Sequence, residues 1–350
     1  MMVETLKSYI LRKIVISRIL FLFLIIGFCF DGKLYSVQES PLDQLPSNIS
    51  VLTHFGERAV WSPSGEKVAF VHRTLGDAFE VIVKTKEIRC LTCSWQHPGY
   101  FRIHYLSTGD YILIGPAESK DRDQARWNQS ELWYLGKDSV GPPLPLGQKL
   151  NEGIAASRIA PRIAWSESSN QYPEEIPEGT SRMMVAEVEV EANGQARLVN
   201  KRQVHEDKWP HCWLEAQDFR LEDSELIYSC YQPENESEVM GVHLESGEVK
   251  NYTNSPEVYD EPEGIFPDGL HTLVECDLQN NKGDHYIDIW KLKLDGTGKD
   301  YERLTFFSDF EGYKASNPVI SPDGKHMAFQ IAMSKDEAGV GYGILVMGLK

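Results

Sequence analysis

The chain has 350 residues, 41% of them hydrophobic and 25% charged, with 35 Lys and Arg against 52 Asp and Glu for a formal net charge of −17. That length and apolar content rule out a mostly disordered chain and allow a large core within one closed domain. The acidic excess repels polyanions at long range, which excludes nucleic acid as a partner class and makes anionic lipid a poor one.

The first 36 residues stand apart. Lys7, Arg12, Lys13 and Arg18 precede the apolar run 19–30, and a basic region followed by about twelve apolar residues fits a secretory signal but is short for a membrane span. We therefore expect export to the periplasm, the cell envelope or the extracellular space. Because no clear Ala-x-Ala cleavage pattern follows, an uncleaved anchor is the alternative and would be the chain's only link to a membrane. This segment holds five basic and two acidic residues, so the remainder carries 30 against 50, a formal charge of −20.

Residues 37–47 are polar, contain Pro41 and Pro46 and read as a linker. Next comes a short strand, Ile49-Ser50-Val51-Leu52-Thr53. From there one phrase recurs: an apolar run, a tight turn and a second apolar run ending in Ala and an aromatic. It reads Val60-Trp61-Ser62-Pro63-Ser64-Gly65-Glu66-Lys67-Val68-Ala69-Phe70 near the start and Val319-Ile320-Ser321-Pro322-Asp323-Gly324-Lys325-His326-Met327-Ala328-Phe329 near the end. Pro-Asp-Gly suits such a turn because Pro sets φ, Asp bonds the backbone ahead and Gly accepts positive φ. Further copies centre on Gly109, Ser157, Ser224 and Gly269. Six copies about 45 to 60 residues apart fit the blades of a β-propeller.

Leu-Thr endings at Leu91-Thr92 and Leu304-Thr305, with Tyr252-Thr253 as a variant, mark outermost strands. The same ending at Leu52-Thr53 precedes the first blade, while the last blade has room for only three strands. The expected fold is therefore all-β, a six-bladed propeller of four-stranded antiparallel blades spanning 48–350, closed by an N-terminal strand that completes the last blade. Blades are expected at about 57–92, 99–147, 148–204, 212–253, 262–305 and 315–348. Closure of this kind removes an exposed sheet edge.

Trp-Ser-Pro-Ser-Gly at 61–65, Ile-Ser-Pro-Asp-Gly at 320–324, Ile-Trp-Lys-Leu-Lys-Leu-Asp-Gly at 289–296 and the Leu-Thr endings resemble the repeats of TolB-like β-propellers. The resemblance covers the propeller only, without the α/β domain that precedes it in TolB. It specifies a blade and so implies fold rather than activity.

In a propeller, the loops leading into first strands and the loops after second strands share one face. The latter are long at 116–130, 166–181, 277–285 and 333–340, whereas the hairpin turns of the opposite face are tight. Long loops on a rigid scaffold usually carry function. The segments leading into the blades on that face place Arg58, His97, Glu152, His211, Glu215, Glu261, Glu263 and Asn317 where the central channel opens, and these are the candidate binding residues; the alternative is that they cap the channel or face solvent. No cofactor is expected, although such carboxylates are compatible with a divalent cation at the channel mouth.

Five cysteines lie outside the leader, an odd count that leaves one thiol unpaired in the monomer we expect. Cys90-Leu91-Thr92-Cys93 has the spacing of a zinc half-site, yet no second pair follows at finger spacing, and a local disulfide or buried thiols are expected. No Gly-x-Ser-x-Gly elbow, Walker loop or dinucleotide fingerprint occurs. The leading functional expectation is a non-catalytic binding module that holds a protein partner or a glycan through the long-loop face. The alternative is a polysaccharide lyase or glycoside hydrolase with its site at the channel mouth.

Overall fold

Six antiparallel four-stranded sheets follow one another along the chain in the computed structural model, which describes residues 39–118, 121–337 and 339–349. The first blade comprises β2 (Glu57–Trp61), β3 (Lys67–Val71), β4 (Ala78–Ile82) and β5 (Ile88–Cys90). The second comprises β6 (Arg102–Tyr105), β7 (Tyr111–Pro116), β8 (Ser130–Leu135) and β9 (Leu144–Lys149), and the third β10 (Ile154–Ala156), β11 (Arg162–Ser168), β12 (Thr180–Val190) and β13 (Ala196–Lys208). The fourth is β14 (Trp213–Arg220), β15 (Glu225–Tyr231), β16 (Ser237–His243) and β17 (Val249–Asn251). The fifth is β18 (Asp260–Ile265), β19 (His271–Cys276), β20 (Asp288–Lys293) and β21 (Tyr301–Arg303). The sixth has β22 (Tyr313–Ile320), β23 (His326–Met333) and β24 (Ile344–Gly348), and its fourth strand is β1 (Ile49–Thr53). From Ser40 onward the chain is one compact unit.

The ring closes as the sequence predicts. Val51 pairs with Leu345 and Ile49 with Met347, antiparallel, so the first strand supplies the edge that the last blade lacks. The Leu-Thr ending has a direct physical role. Thr92, Thr253 and Thr305 each accept, at 2.9 to 3.0 Å, an amide near the start of the neighbouring third strand, at Ala78, Val239 and Ile289. In the sixth blade the amide of Ile344 reaches Thr53 at 3.3 Å. The closing strand therefore carries the same cap as the strands it stands in for.

The turns of the first and sixth blades are closed by their serines. The amides of Lys67 and His326 donate to the hydroxyls of Ser62 and Ser321, and Gly65 and Gly324 sit at φ 73° and 70°, where a side chain would be strained. Second strands are buried along both faces, as in Val68–Val71 and Ile112–Ile114, because neighbouring blades cover them. Cores form between adjacent blades: Trp165 of the third packs with Ile112, Ile114 and Leu132 of the second, and Tyr228 of the fourth with Met183 and Val185 of the third.

Two features depart from the sequence reading. The hairpin of β12 and β13 runs 11 and 13 residues, longer than any other strand pair, and carries the third blade to Lys208 rather than 204. The loop after β19 also ends in a helical turn (Asp284–Tyr286), so the third strand of the fifth blade, β20, begins only at Asp288. No helix among the described residues is long and apolar enough to cross a membrane. The leader, and with it the choice between signal and anchor, lies outside the described residues.

Candidate functional site

First strands line the channel, and four of the six are bulged. The register slips between Glu57 and Val60 in β2, Ala216 and Asp218 in β14, Pro262 and Gly264 in β18, and Ser316 and Val319 in β22. A bulge leaves an extra residue unpaired and re-aims its side chain. The residues freed in this way include Arg58, Gln217, Glu263 and Asn317, with Arg58 at φ 53° and Asn317 at φ 45°. Both left-handed conformations are held by local bonds: the Arg58 amide donates to Gln330 at 2.7 Å, and the Asn317 amide donates to Glu275.

On the long-loop face the channel opens into a cavity of about 910 Å³. Its walls come from first strands and from the loops after second strands, among them Arg126 and Trp127, Asn170, Asp284 and Tyr342. Trp127, Trp209 and Tyr342 are 41 to 44% exposed, and Trp213 is half-buried. A second cavity of about 250 Å³ lies among the hairpin turns, lined by Pro63, His104, Gln217, Asp218, Glu263 and Pro322. Glu263 reaches from this lower cavity to Asn317 of the upper one, whose side-chain amide donates to it at 3.0 Å.

Charge is divided across the floor of the upper cavity. On the side of the first two blades, Glu152 is enclosed by Arg58, Arg102 and Arg126, with the Arg102 Nε 3.7 Å away. Burial pushes the Glu152 carboxyl up, but Arg126, Arg58 and Arg102 pull it further down, to about 2. Arg58 also donates to the Phe101 carbonyl at 3.0 Å. On the side of the fourth and fifth blades stand Glu215, Glu261, Glu263 and Glu275. Burial and the neighbouring carboxylates raise Glu215 to about 7 and Glu275 to about 8, and they raise Glu263 strongly. The Arg102 Nη2, 3.5 Å from Glu215, ties the two halves together.

Two tyrosines decide where the protons sit. The Tyr231 hydroxyl is 3.0 Å from Glu215 Oε2 and 2.5 Å from Glu261 Oε1, and the Tyr259 hydroxyl donates to Glu261 Oε2. A phenol has one proton to give. With Glu261 accepting from both tyrosines, the Glu215 contact is satisfied when the Glu215 carboxyl keeps its own proton and donates it to the Tyr231 oxygen. The Tyr231 lengths combined limit the separation of the Glu215 and Glu261 oxygens to about 5.5 Å. Gly153 makes room for this arrangement, because a Cβ there would occupy the space of the Glu215 side chain.

Of the eight residues singled out from the sequence, Arg58, Glu152, Glu215, Glu261 and Asn317 line the upper cavity and Glu263 joins them from below. The two histidines lie elsewhere. His97 is outside both linings, bonded through Nε2 to Asp77 at 3.0 Å, and His211 is exposed and bonded to Asp207 at 2.9 Å. Sequence reasoning overlooked Tyr231, Tyr259, Glu275 and Arg126. Glu275 left a signal, as an acid within the otherwise apolar inner strand Thr272-Leu273-Val274-Glu275-Cys276.

The fold has many solved counterparts at low sequence identity. A putative TolB from Agrobacterium tumefaciens aligns with a TM-score of 0.50 at 14% identity, over 76% of this chain and 95% of that one. The gluconolactonase XC5397 from Xanthomonas campestris aligns at 0.54 and 10% identity, over 86% and 89%, and the calcium-binding protein regucalcin from Agrobacterium tumefaciens at 0.51 and 12%, over 85% and 92%. These similarities establish a six-bladed propeller distantly similar to those proteins and nothing finer. No family model matches the sequence, and no curated protein matches it.

Proposed function

We propose that the protein is an exported binding module, built on a propeller akin to that of TolB, which takes a short glycan into the cavity of its long-loop face. The observation that carries this reading is the pairing of exposed rings with a polar floor. Trp127, Trp209 and Tyr342 surround the opening, while carboxyl, guanidinium and amide groups converge below them. Aromatic faces stack on the apolar faces of sugar rings, and convergent donors and acceptors bind hydroxyls. Export is supported by the basic and apolar leader.

Titration of the purified protein with a panel of neutral and acidic oligosaccharides, followed by tryptophan fluorescence and calorimetry, tests the reading. Binding of one class is expected, weakened about tenfold or ~1.4 kcal/mol by Trp209→Ala or Trp127→Ala. No saccharide bound, or binding indifferent to both substitutions, would overturn it.

The Tyr231 bridge favours a second reading. A protonated Glu215 no more than about 5.5 Å from Glu261 is nearer the carboxyl spacing of a retaining glycosidase, about 5 to 5.5 Å, than the roughly 6.5 to 9.5 Å of an inverting one. Glu215 would protonate the leaving oxygen and Glu261 would attack the anomeric carbon. Hydrolysis of a bound saccharide that Glu261→Gln abolishes without loss of binding would favour this reading over the first.

A further inference from the structure

A second set of chemically capable side chains sits at the junction of the first two blades, away from both cavities. Asp77 precedes β4, Cys90 ends β5, Cys93 lies in the turn after it, and His97 is on the connection to β6. Cys90 and Cys93 are joined as a disulfide. One donor atom from each of Asp77, Cys90 and Cys93 lies within 4.8 Å of the others; His97 stands outside that group of three and joins it through Asp77, its Nε2 3.0 Å from Asp77 Oδ1. A disulfide needs only the two cysteines; the carboxylate and the imidazole brought in from other segments are what a metal site needs.

We propose that Asp77, Cys90, Cys93 and His97 form a closed four-donor site for a borderline-soft divalent cation of the zinc type, available when the two cysteines are reduced. Opening the disulfide takes two electrons and two protons from a dithiol, which becomes a disulfide itself. The two new thiols then release two protons as the cation binds their sulfurs.

The surroundings fit this use. Two ligands each about 2.0 Å from a tetrahedral ion stand about 3.3 Å apart, close to the spacing of the Asp77 and His97 atoms. The Cys93 amide donates to Cys90 Sγ at 3.1 Å, a bond that stabilises a thiolate, and the Thr92 hydroxyl donates to Asp77 Oδ1 at 2.8 Å, orienting the carboxylate. Tyr100 packs on the His97 ring at a centroid distance of 4.7 Å and holds its orientation. In the fifth blade the equivalent acid, Asp288, serves the threonine cap and an arginine, and the outer strand and turn that face it, residues 301–306, hold no cysteine. The first blade adds the sulfurs and the imidazole to a cap that works without them.

The test uses the full chain, reduced with a non-chelating phosphine and titrated with Co2+ and then Zn2+. Reduced protein is expected to take up one Co2+ per chain, with the sulfur-to-cobalt charge-transfer absorption and intense d–d bands of a tetrahedral thiolate site, and Zn2+ should displace it. Oxidised protein should show neither. Cys93→Ser should abolish the charge-transfer band, and Asp77→Asn and His97→Ala, which keep both thiols, should each weaken binding tenfold or more. Paired Cys212→Ser and Cys230→Ser substitutions, which remove the other disulfide, should leave the signal intact. Absence of the bands in reduced protein, their survival in Cys93→Ser, or affinities unchanged in both Asp77→Asn and His97→Ala would overturn the site. Equal binding by oxidised protein would overturn its dependence on reduction.

Discussion

Glu152 shows how much of the cavity floor hangs on one carboxylate. It is 3% exposed and faces three guanidiniums, so Glu152→Gln leaves one buried and two partly buried positive charges around a neutral amide. Removing one partner of a buried ion pair costs about 3 to 5 kcal/mol; urea unfolding should show a loss of that order, and one under about 1 kcal/mol would mean that water already screens the arginines. Next to it, Gly153→Ala should act differently. The added methyl displaces Glu215 from Tyr231 rather than uncovering a charge, so saccharide affinity should fall several-fold while the melting temperature shifts by only a few degrees. A variant that binds normally would show that Glu215 is not needed where it stands.

At this scale the sequence was only partly informative. Glu215, Glu261 and Glu152 were legible because polar residues at or just ahead of the start of a propeller's first strands have few places to go but the channel. His97 and His211 sit in the same kind of segment, yet each found an aspartate nearby, Asp77 and Asp207, and turned to it. Local pairing of that kind has no periodic signature. Tyr231 and Tyr259 are at strand ends, where an aromatic reads as core.

Among the elements, β1 was legible and the bulges were not. The Leu-Thr ending out of order at residues 52 and 53 announced a strand in search of a blade, and Thr53 performs there the capping that Thr92, Thr253 and Thr305 perform elsewhere. A bulge changes the alternation of one strand by a single residue, and strands of five to eight residues offer too few positions to reveal the slip. Deleting residues 47–54 should lower the melting temperature by ten degrees or more and promote association, since Leu345 and Met347 lose their partners and β24 becomes an open edge. An unchanged, monomeric melt would mean that the sixth blade is stable with three strands.

For the whole molecule, acidity should govern stability through two opposed sets of carboxyls. Glu215 and Glu275 titrate near 7 and 8 in the folded protein against an ordinary value of 4.5, so their stabilising effect is complete below about pH 4.5 and is lost as the pH rises through 7 to 8. Glu152, held near 2, works in reverse: its contribution is present above 4.5 and is lost as the pH falls toward 2. Together they place the maximum of a melting-temperature profile near pH 5. The Glu215 shift alone corresponds to on the order of 3 kcal/mol between pH 5 and 8. Glu215→Gln should flatten the alkaline limb, and a profile still rising between pH 5 and 8 would contradict the protonation scheme inferred around Tyr231.

The pairing of Val51 with Leu345 also bears on how the molecule is made. A ribosome releases Val51 almost three hundred residues before its partner exists, so every intermediate during synthesis carries one orphaned strand in front and an unfinished circle behind. Such a protein gains little from folding as it emerges. A chain held extended until its last residues are out avoids the wrong pairings, and joining Asn48 to Gly348 while opening another inter-blade connection would move the seam without changing the circle.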